Sequence, residues 1–307
     1  MAGDSIRFVV NAAINIPLSL LAVVGNSLIL VSFFRNPSLV SPSNVILINL
    51  ALSDLCVGLV VQPMYIAWRL VQFDFIEENR RQDILISVTV FLSAILCLFS
   101  LLTVTVLSAD RYLALRLHLR YNEFITERRT CCFLGFLCVA SVAICAVTLL
   151  FPAYDEFFGS FIALSCFAVN AVLYVKIYRV VQRHKRQINV LQLGRIPSTG
   201  LINILRFRTS SLTMFYVYVI LLLCYLPYIS LAIVFPLSRT NTSVKIAFEA
   251  SWTLVYMNSA LNPVLYSWRL KRIRVAVKDI LCAIHRRKSL PRTEETIRPS
   301  SMQAIQS

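Results

Sequence analysis

Seven apolar runs, each long enough to cross a bilayer as a helix, dominate the sequence. A bilayer core needs about 20 consecutive apolar residues in a helix. The runs, numbered below as segments 1 to 7, cover residues 9–34, 44–68, 84–107, 131–151, 157–181, 212–234 and 244–265. With 58% hydrophobic residues, the chain is too apolar for a soluble domain. The sequence therefore predicts an all-α membrane protein, a seven-transmembrane helix bundle, without the short alternating strands of a barrel.

The basic residues are distributed unevenly along the chain, which has a formal net charge of +15. Most Lys and Arg residues follow segments 1, 3, 5 and 7, so they lie on one side of the membrane. The positive-inside rule places that side in the cytoplasm and the N-terminus outside. We therefore expect a multi-pass plasma-membrane protein with a cytoplasmic C-terminus. Topology explains the excess charge, so nucleic acid is not an expected partner.

Two features bear on processing at the outer face. None of the nine cysteines falls in a predicted outer loop, so we expect no disulfide there. The triplet Asn241-Thr242-Ser243 in the last outer loop is a glycosylation acceptor, with Asn241 as the candidate site. A chance triplet too close to the membrane for modification fits the sequence equally well.

A carboxylate lies in the middle of segment 2, where charge is costly and usually functional. Asp54 has no Lys or Arg at its depth, so it must be protonated, hydrated or paired with a cation. Polar side chains at similar depth on other segments are Asn26, Ser100, Asn258, Ser259 and Asn262. Such oxygen ligands suit a small cation such as sodium. Interhelical hydrogen bonding alone is the other interpretation.

Five short motifs occur in order on five of the segments. They are "GNSLIL" in segment 1, "LALSDL" in segment 2, "SADRYLAL" at the end of segment 3, "CYLPY" in segment 6 and "NSALNPVLY" in segment 7. Together they resemble the motifs of rhodopsin-like (class A) G-protein-coupled receptors over nearly the whole chain. A very short second outer loop, no outer disulfide and no proline in segment 5 are similar to the melanocortin, adenosine and cannabinoid receptors.

The resemblance implies a receptor that binds an extracellular ligand and activates a heterotrimeric G protein. It assigns the coupling switch to Asp110, Arg111, Tyr112, Tyr174, Tyr266, Asn262 and Pro263. It also assigns an allosteric sodium site to Asp54, Ser100, Asn258, Ser259 and Asn262, with Asn26 as a neighbour. No cofactor is required. Pro227 in segment 6 provides a place where a helix can pivot.

The chain departs from the family pattern at several positions. No acid lies near Phe207 to hold Arg111 from segment 6, so we expect Arg111 to be held by Asp110 alone and the resting state to be weakly restrained. Tyr225 stands where the family usually has a tryptophan below the ligand. Ile86 occupies the position of the usual disulfide cysteine, and Cys166 stands in place of the segment 5 proline.

A candidate ligand pocket follows from the positions of polar and aromatic residues in the outer halves of the segments. Its residues are Gln62, Tyr65, Val90, Ser93, Ala94, Cys97, Tyr225, Tyr228, Glu249, Trp252 and Tyr256. Amine receptors carry an aspartate where this chain has Ser93, so a cationic amine is not the expected ligand. Opsins carry a lysine where it has Tyr256, so retinal bound as a Schiff base is not expected either. A small molecule, a lipid or a short peptide all fit, and so does ordinary helix packing.

The chain after segment 7 divides into an amphipathic stretch and a polar tail. Residues 270–285 place apolar side chains on one face of a helix and basic side chains on the other. This pattern predicts an interfacial helix in contact with membrane lipids. This helix completes a receptor domain that covers residues 1–285. Cys282 is a palmitoylation candidate or a free thiol. The tail, residues 286–307, is expected to be disordered, and an arrestin-like partner would bind it after phosphorylation. The candidate sites are Ser289, Thr293, Thr296, Ser300 and Ser301.

Three other functions compete with that of a ligand-gated receptor. A non-signalling or constitutively active receptor-like protein fits the altered position at Tyr225. A transporter or channel needs a polar path or an inverted repeat, and the sequence has neither. An enzyme is not expected, because no nucleophile and base or metal-ligand spacing is found.

Overall fold

A computed structural model describes residues 2–37, 41–74, 80–117, 120–148, 150, 155–191, 199–238 and 241–289. Nearly all of these residues are helical. The helices are α1 (Ala2–Arg35), α2 (Pro42–Cys56), a π-helical turn (Val57–Val61), α3 (Gln62–Asp74), α4 (Arg80–Leu117), α5 (Tyr121–Phe124), α6 (Glu127–Thr148), α7 (Asp155–Leu191), α8 (Thr199–Val234), a 3₁₀ turn (Phe235–Leu237), α9 (Thr242–Arg269) and α10 (Lys271–Ser289). The predicted tail after Ser289 lies outside the described residues.

Six helical stretches of the described chain are long and apolar enough to cross a membrane. They are Ile6–Arg35, Pro42–Gln72, Asp83–Leu117, Glu127–Thr148, Phe158–Arg183 and Phe215–Leu237. Helix α9, which contains the predicted segment 7, is 28 residues long but is not among them. Its first turns carry Lys245 and Glu249 and its middle carries two asparagines, which lower its hydropathy.

Large apolar side chains occupy both the inside and the outside of the bundle. Ile29, Leu50 and Leu221 are fully buried in a core that is shared by several helices. Val139 and Phe161, in contrast, are each 69% exposed on the outer surface. A water-facing surface of this kind would aggregate, whereas lipid solvates it. Helices suit that environment because all their backbone groups are satisfied internally.

Several helices continue beyond the apolar runs that predict them. Helix α4 extends to Leu117, so Asp110 and Arg111 lie within the helix and not at its end. Helix α7 likewise continues past the end of segment 5, to Leu191. Helix α8 begins before the start of segment 6, at Thr199. Hydropathy marks only the part of a helix that contacts lipid, and the polar turns beyond it are not distinguished from loops by hydropathy alone.

Two glycines allow α1 to pack closely against its neighbours. A Cβ atom at Gly25 would lie only 2.8 Å from Cβ of Pro263 on α9. A Cβ atom at Gly58, in the π-helical turn, would lie 3.0 Å from Cβ of Ala22. The Ser19 hydroxyl donates a hydrogen bond to the Gly58 carbonyl at 2.8 Å. The glycine of the "GNSLIL" motif is therefore required by the distance between α1 and α9.

Candidate functional site

A cavity of about 480 Å³ lies among the helices at the end of the bundle that carries Glu249, called the Glu249 end below. Its volume falls in the range of about 300–1,000 Å³ typical of small-ligand sites. Most of the predicted pocket residues line it, namely Tyr65, Val90, Ser93, Ala94, Cys97, Tyr225, Tyr228, Glu249, Trp252 and Tyr256. The structure thus brings these residues around one space. That they bind a ligand stays a prediction.

Gln62 is the exception among the predicted pocket residues. It is fully buried and does not line the cavity, and neither polar atom of its amide has a hydrogen-bond partner among the described residues. Gln62 shares a helical face with Tyr65 and Arg69, which do line the cavity, but it lies one to two turns closer to Asp54 along that face. The placement of Gln62 in the pocket is therefore corrected.

Aromatic rings from three helices form one wall of the cavity. The Tyr65 and Trp252 rings are stacked with centroids 6.5 Å apart, and Tyr256 meets Tyr65 edge-on at 5.1 Å. Tyr228 meets Trp252 edge-on at 5.6 Å. The Tyr256 hydroxyl and the Ser93 hydroxyl are 3.0 Å apart and share a hydrogen bond. These contacts fix the wall and tie α3, α8 and α9 to one another and to α4.

A buried ion pair at the Glu249 end was not predicted. Arg69, which is 1% exposed, places Nη1 3.1 Å from Oε2 of Glu249, which is 16% exposed. The guanidinium also donates to the Tyr65 hydroxyl from Nε and Nη2, and to Oε1 of Gln72 from Nη1. The Trp68 ring lies 4.5 Å from the guanidinium carbon. The sequence does contain a signal for this pair, because Arg69 and Glu249 are opposite charges near the outer ends of two apolar segments.

The polar residues near Asp54 form a cluster in the middle of the bundle. The Asn262 amide donates to Oδ2 of Asp54 at 2.7 Å, and Asp54 is 1% exposed. The Asn26 amide donates to the Ser259 carbonyl at 3.1 Å and so links α1 to α9. Several buried side-chain oxygens have no partner among the described residues, namely those of Asn26, Ser100, Asn258, Asn262 and Tyr266. Buried polar atoms normally have a partner, so water or a small cation is a candidate partner for these oxygens.

The opposite end of the bundle, called the Arg111 end below, carries the Asp110–Arg111 pair. Nη2 of Arg111 lies 2.8 Å from Oδ2 of Asp110. Asp110 has two further partners that the sequence did not reveal. The Ser43 hydroxyl of α2 donates to Oδ2 at 2.6 Å, and the Tyr121 hydroxyl of α5 donates to Oδ1. Asp110 is thus held by more than Arg111, whereas the expectation that Arg111 is held by Asp110 alone stays a prediction.

Tyr121 lies in the connection between α4 and α6. Burial raises the pKa of its hydroxyl above the usual value, and the nearby Asp110 carboxylate raises it further. The hydroxyl therefore stays protonated at neutral pH and remains a donor to Asp110. Helices α2, α4 and α5 thus converge on one carboxylate at the Arg111 end.

The predicted switch tyrosines occupy three different environments. The Tyr174 hydroxyl accepts a hydrogen bond from Ser108 at 3.1 Å, and its ring stacks on Tyr218. Tyr266 is fully buried, and its hydroxyl has no partner among the described residues. Tyr112 is partly exposed, with the Lys176 ammonium 5.8 Å from its ring. Tyr174 and Tyr266 lie inside the bundle, whereas Tyr112 lies at its edge.

The candidate modification sites are at the surface. Asn241 is exposed and caps α9, with Oδ1 accepting a hydrogen bond from the Ser243 backbone at 2.9 Å. Cys282 is exposed on α10, and all nine cysteines are free thiols. Helix α10 buries Ile273, Val277 and Ile280 against the bundle. The predicted phosphorylation sites beyond Ser289 lie outside the described residues.

The comparison with known families agrees with this geometry. A family model described as "7 transmembrane receptor (rhodopsin family)" matches residues 25–266, which is most of the chain. The chain belongs to the rhodopsin family of seven-transmembrane receptors. It is therefore a multi-pass plasma-membrane receptor that transduces signals and is not an enzyme. Membership of the family also implies coupling to a G protein.

Individual receptors resemble the chain along nearly all of its length. The histamine H2 receptor of Cavia porcellus is 24% identical, over 88% of this chain and 79% of its own. The adenosine receptor A2b of Bos taurus is 26% identical, over 91% and 93%. The melanocortin receptor 4 of Danio rerio is 24% identical, over 90% and 85%. Their names denote three different ligands, so they define the class of protein and not the ligand of this chain.

Proposed function

We propose that the chain is a ligand-activated receptor whose N-terminus is extracellular and whose α9 is the seventh membrane span. The ligand, a small molecule, a lipid or a short peptide, would enter the cavity at the Glu249 end from outside the cell. The G protein would bind in the cytoplasm at the Arg111 end. The basic residues Arg116, Arg128 and Lys271 lie at that end, which supports this orientation.

One observation supports this function above the others. Helix α4 carries Ser93 and Cys97 in the cavity wall and, further along the same helix, Asp110 and Arg111. A change in the cavity can therefore bias the switch through a single continuous helix. Helices α8 and α9 also line the cavity, through Tyr225 and Trp252, and contain the prolines Pro227 and Pro263.

The activation step follows from the burial of Arg111. In the described state Arg111 is only 8% exposed and is paired with Asp110, so a partner protein has little access to it. Ligand binding would favour a state in which the Arg111 end of α8 moves outward about Pro227. Arg111 would then leave Asp110, and Tyr174 and Tyr266 would turn toward the opened space.

A panel of G-protein dissociation sensors in cells that express the receptor tests this function. We expect at least one class of G protein to respond, either without ligand or to a member of a ligand library. Arg111→Ala should abolish the response at normal surface expression. Asp83→Ala is the control, because Asp83 is an exposed charged residue of the same helix at the opposite end, away from the proposed G-protein surface. An unchanged response in Arg111→Ala would contradict the proposal.

The basal activity of the receptor depends on how firmly Asp110 is held. Tyr121→Phe removes one donor to a carboxylate, and such a bond stabilises the resting state by about 1.5–3 kcal/mol. We therefore expect the variant to raise basal nucleotide exchange about tenfold or more, measured with the same sensors at matched surface expression. Basal exchange at the wild-type level would show that Tyr121 does not restrain the switch. A wild-type receptor that is already fully active would instead favour the constitutive alternative.

We also propose that sodium binds at Asp54, as an allosteric ligand and not as a required cofactor. The carboxylate would supply the charge, and the unpaired oxygens of Ser100, Asn258 and Asn262 would supply neutral ligands. Binding to the folded state alone raises the melting temperature. We expect purified receptor to melt at a higher temperature in sodium chloride than in choline chloride. Asp54→Asn should remove the difference, whereas a difference that survives would place the ion elsewhere.

Further partners follow from the surface of the Arg111 end and from the tail. Cys282 on α10 would carry a palmitoyl chain that anchors the helix to membrane lipids. The tail sites would recruit an arrestin-like protein when phosphorylated. Asn241 would carry a glycan on Nδ2, which is compatible with the helix cap because the cap uses Oδ1.

A further inference from the structure

We infer that the ligand of the cavity is an apolar molecule that carries one anionic group, either a carboxylate or a phosphate monoester. The anion would lie at the Glu249 end, between the Lys245 ammonium and the Arg69 guanidinium, and the apolar body would extend inward. This inference rests on the proposed function for its physiological meaning. The binding itself is tested without signalling.

Glu249 is not available to recognise a cationic ligand. Among the described residues that line the cavity, it is the only carboxylate, and Arg69 already neutralises it at 3.1 Å. An amine ligand would have to displace Arg69 and leave a buried guanidinium without its counter-ion, which is strongly unfavourable. Ser93, further inside, offers a hydroxyl that is engaged with Tyr256.

Arg69 retains one donor after its partners are counted. A guanidinium has five N–H hydrogens. Nε donates to the Tyr65 hydroxyl, Nη1 donates to Gln72 and Glu249, and one hydrogen of Nη2 donates to Tyr65. The second hydrogen of Nη2 has no partner among the described residues, although Arg69 is almost fully buried and lines the cavity. A buried donor without a partner is costly and points to an acceptor that arrives with the ligand.

Lys245 supplies a positive charge that the described residues do not neutralise. It lines the cavity, is exposed, and forms no ion pair with any described residue. It lies four residues before Glu249 on α9, so the two side chains share a face of the helix, one turn apart. The cavity lining therefore carries Arg69, Lys245 and Glu249, a net charge of +1. The N-terminal end of α9, which also favours anions, lies at the same level.

The remainder of the lining defines the rest of the ligand. Below the charged residues the wall is aromatic and aliphatic, with Trp252, Ile229, Val255 and Ala163 among its members. An apolar chain or ring system would bury its surface there, whereas a second charge would be stranded. The expected ligand is consequently amphiphilic, with its one anionic group at the mouth.

Tryptophan fluorescence provides a direct measurement. Two of the three tryptophans, Trp68 and Trp252, line the cavity, and Trp268 lies exposed near the Arg111 end. In a Trp268→Phe background, fluorescence reports mainly on the cavity. The probes are 11-bromoundecanoate and 11-bromoundecyl phosphate, whose bromine quenches nearby tryptophan. The comparison probes are the methyl ester and the primary amine with the same brominated chain, added to purified receptor in nanodiscs.

We expect saturable quenching by at least one anionic probe, with a Kd about tenfold or more below that of the ester, the effect of a hydrogen bond to a charged group. Tight binding of the carboxylate alone or of the phosphate alone identifies which anion the site prefers. Lys245→Gln should remove most of the preference. Lys271→Gln is the matched control, because Lys271 is an exposed lysine on α10, and it should change nothing. The inference is overturned if no probe quenches saturably, if the ester or amine binds as tightly as both anions, or if the preference survives Lys245→Gln.

The two proposals fail in different ways. Charge-selective quenching in a receptor that activates no G protein would overturn the proposed function and support this inference. Nucleotide exchange that depends on Arg111, combined with no charge selectivity in the cavity, would overturn this inference and support the proposed function.

Discussion

Glu249→Ala is expected to destabilise the receptor by about 3–5 kcal/mol, the usual cost of removing one partner of a buried ion pair. The cost arises because Arg69 is 1% exposed and its charge would be left without a counter-ion. Arg69→Met should have a similar effect, since it leaves Glu249 unpaired. The measurement is denaturant or thermal unfolding of the purified receptor in detergent.

The double variant Arg69→Met/Glu249→Met removes both charges, so no charge is left unpaired. Apolar residues of similar volume often replace a buried ion pair at little cost. The double variant should therefore be more stable than either single variant, despite carrying one more substitution. Asp279→Ala is the control, because Asp279 is exposed and has no ion pair among the described residues. Single variants as stable as this control would show that Arg69 and Glu249 are solvated and not a buried pair.

Gly25→Ala is expected to destabilise the receptor by about 1–3 kcal/mol, the usual cost of overpacking. The added Cβ would lie 2.8 Å from Cβ and 2.9 Å from Cγ of Pro263. A proline ring cannot turn away, so α1 and α9 must separate. The separation would also stretch the hydrogen bond from the Asn26 amide to the Ser259 carbonyl, which is 3.1 Å long. Thermal unfolding of the purified receptor measures the effect.

Gly135→Ala is the matched control for this substitution. Gly135 is also a glycine within a helix, but nothing lies within 4 Å of a Cβ atom added there. Alanine is favoured over glycine in a helix by about 1 kcal/mol, so this control should be neutral or stabilising. Equal effects of the two substitutions would mean that α1 and α9 are not in close contact at Gly25.

The sequence predicts the helices and the motif clusters well because both depend on local patterns. Apolar length identifies the membrane-spanning stretches, and helical spacing places Asn258 and Asn262 on one face of α9. Asp54 could be expected to find polar partners, because an unpaired carboxylate at that depth is too costly. The structure supplies Asn262 as that partner.

The features that the sequence did not predict involve the depth of the cavity or pairing between distant elements. Gln62 lies on the same face of α3 as Tyr65 but outside the cavity, because residue spacing does not show how deep the cavity extends. The Arg69–Glu249 pair joins residues 180 positions apart, and neither residue shows which helix face it occupies. Tyr121 meets Asp110 only because the chain turns back after α4. Each of these contacts depends on tertiary packing, which residue spacing within one segment does not encode.

The most direct test of the central claim is the release of GDP from a purified G protein on addition of purified receptor in nanodiscs. The G protein should be of the class identified in cells. Wild-type receptor should accelerate release about tenfold or more, within the range of typical allosteric coupling, and Arg111→Ala, assayed well below its own melting temperature, should not. No acceleration by wild-type receptor with any class of G protein, or equal acceleration by Arg111→Ala, would contradict the central claim.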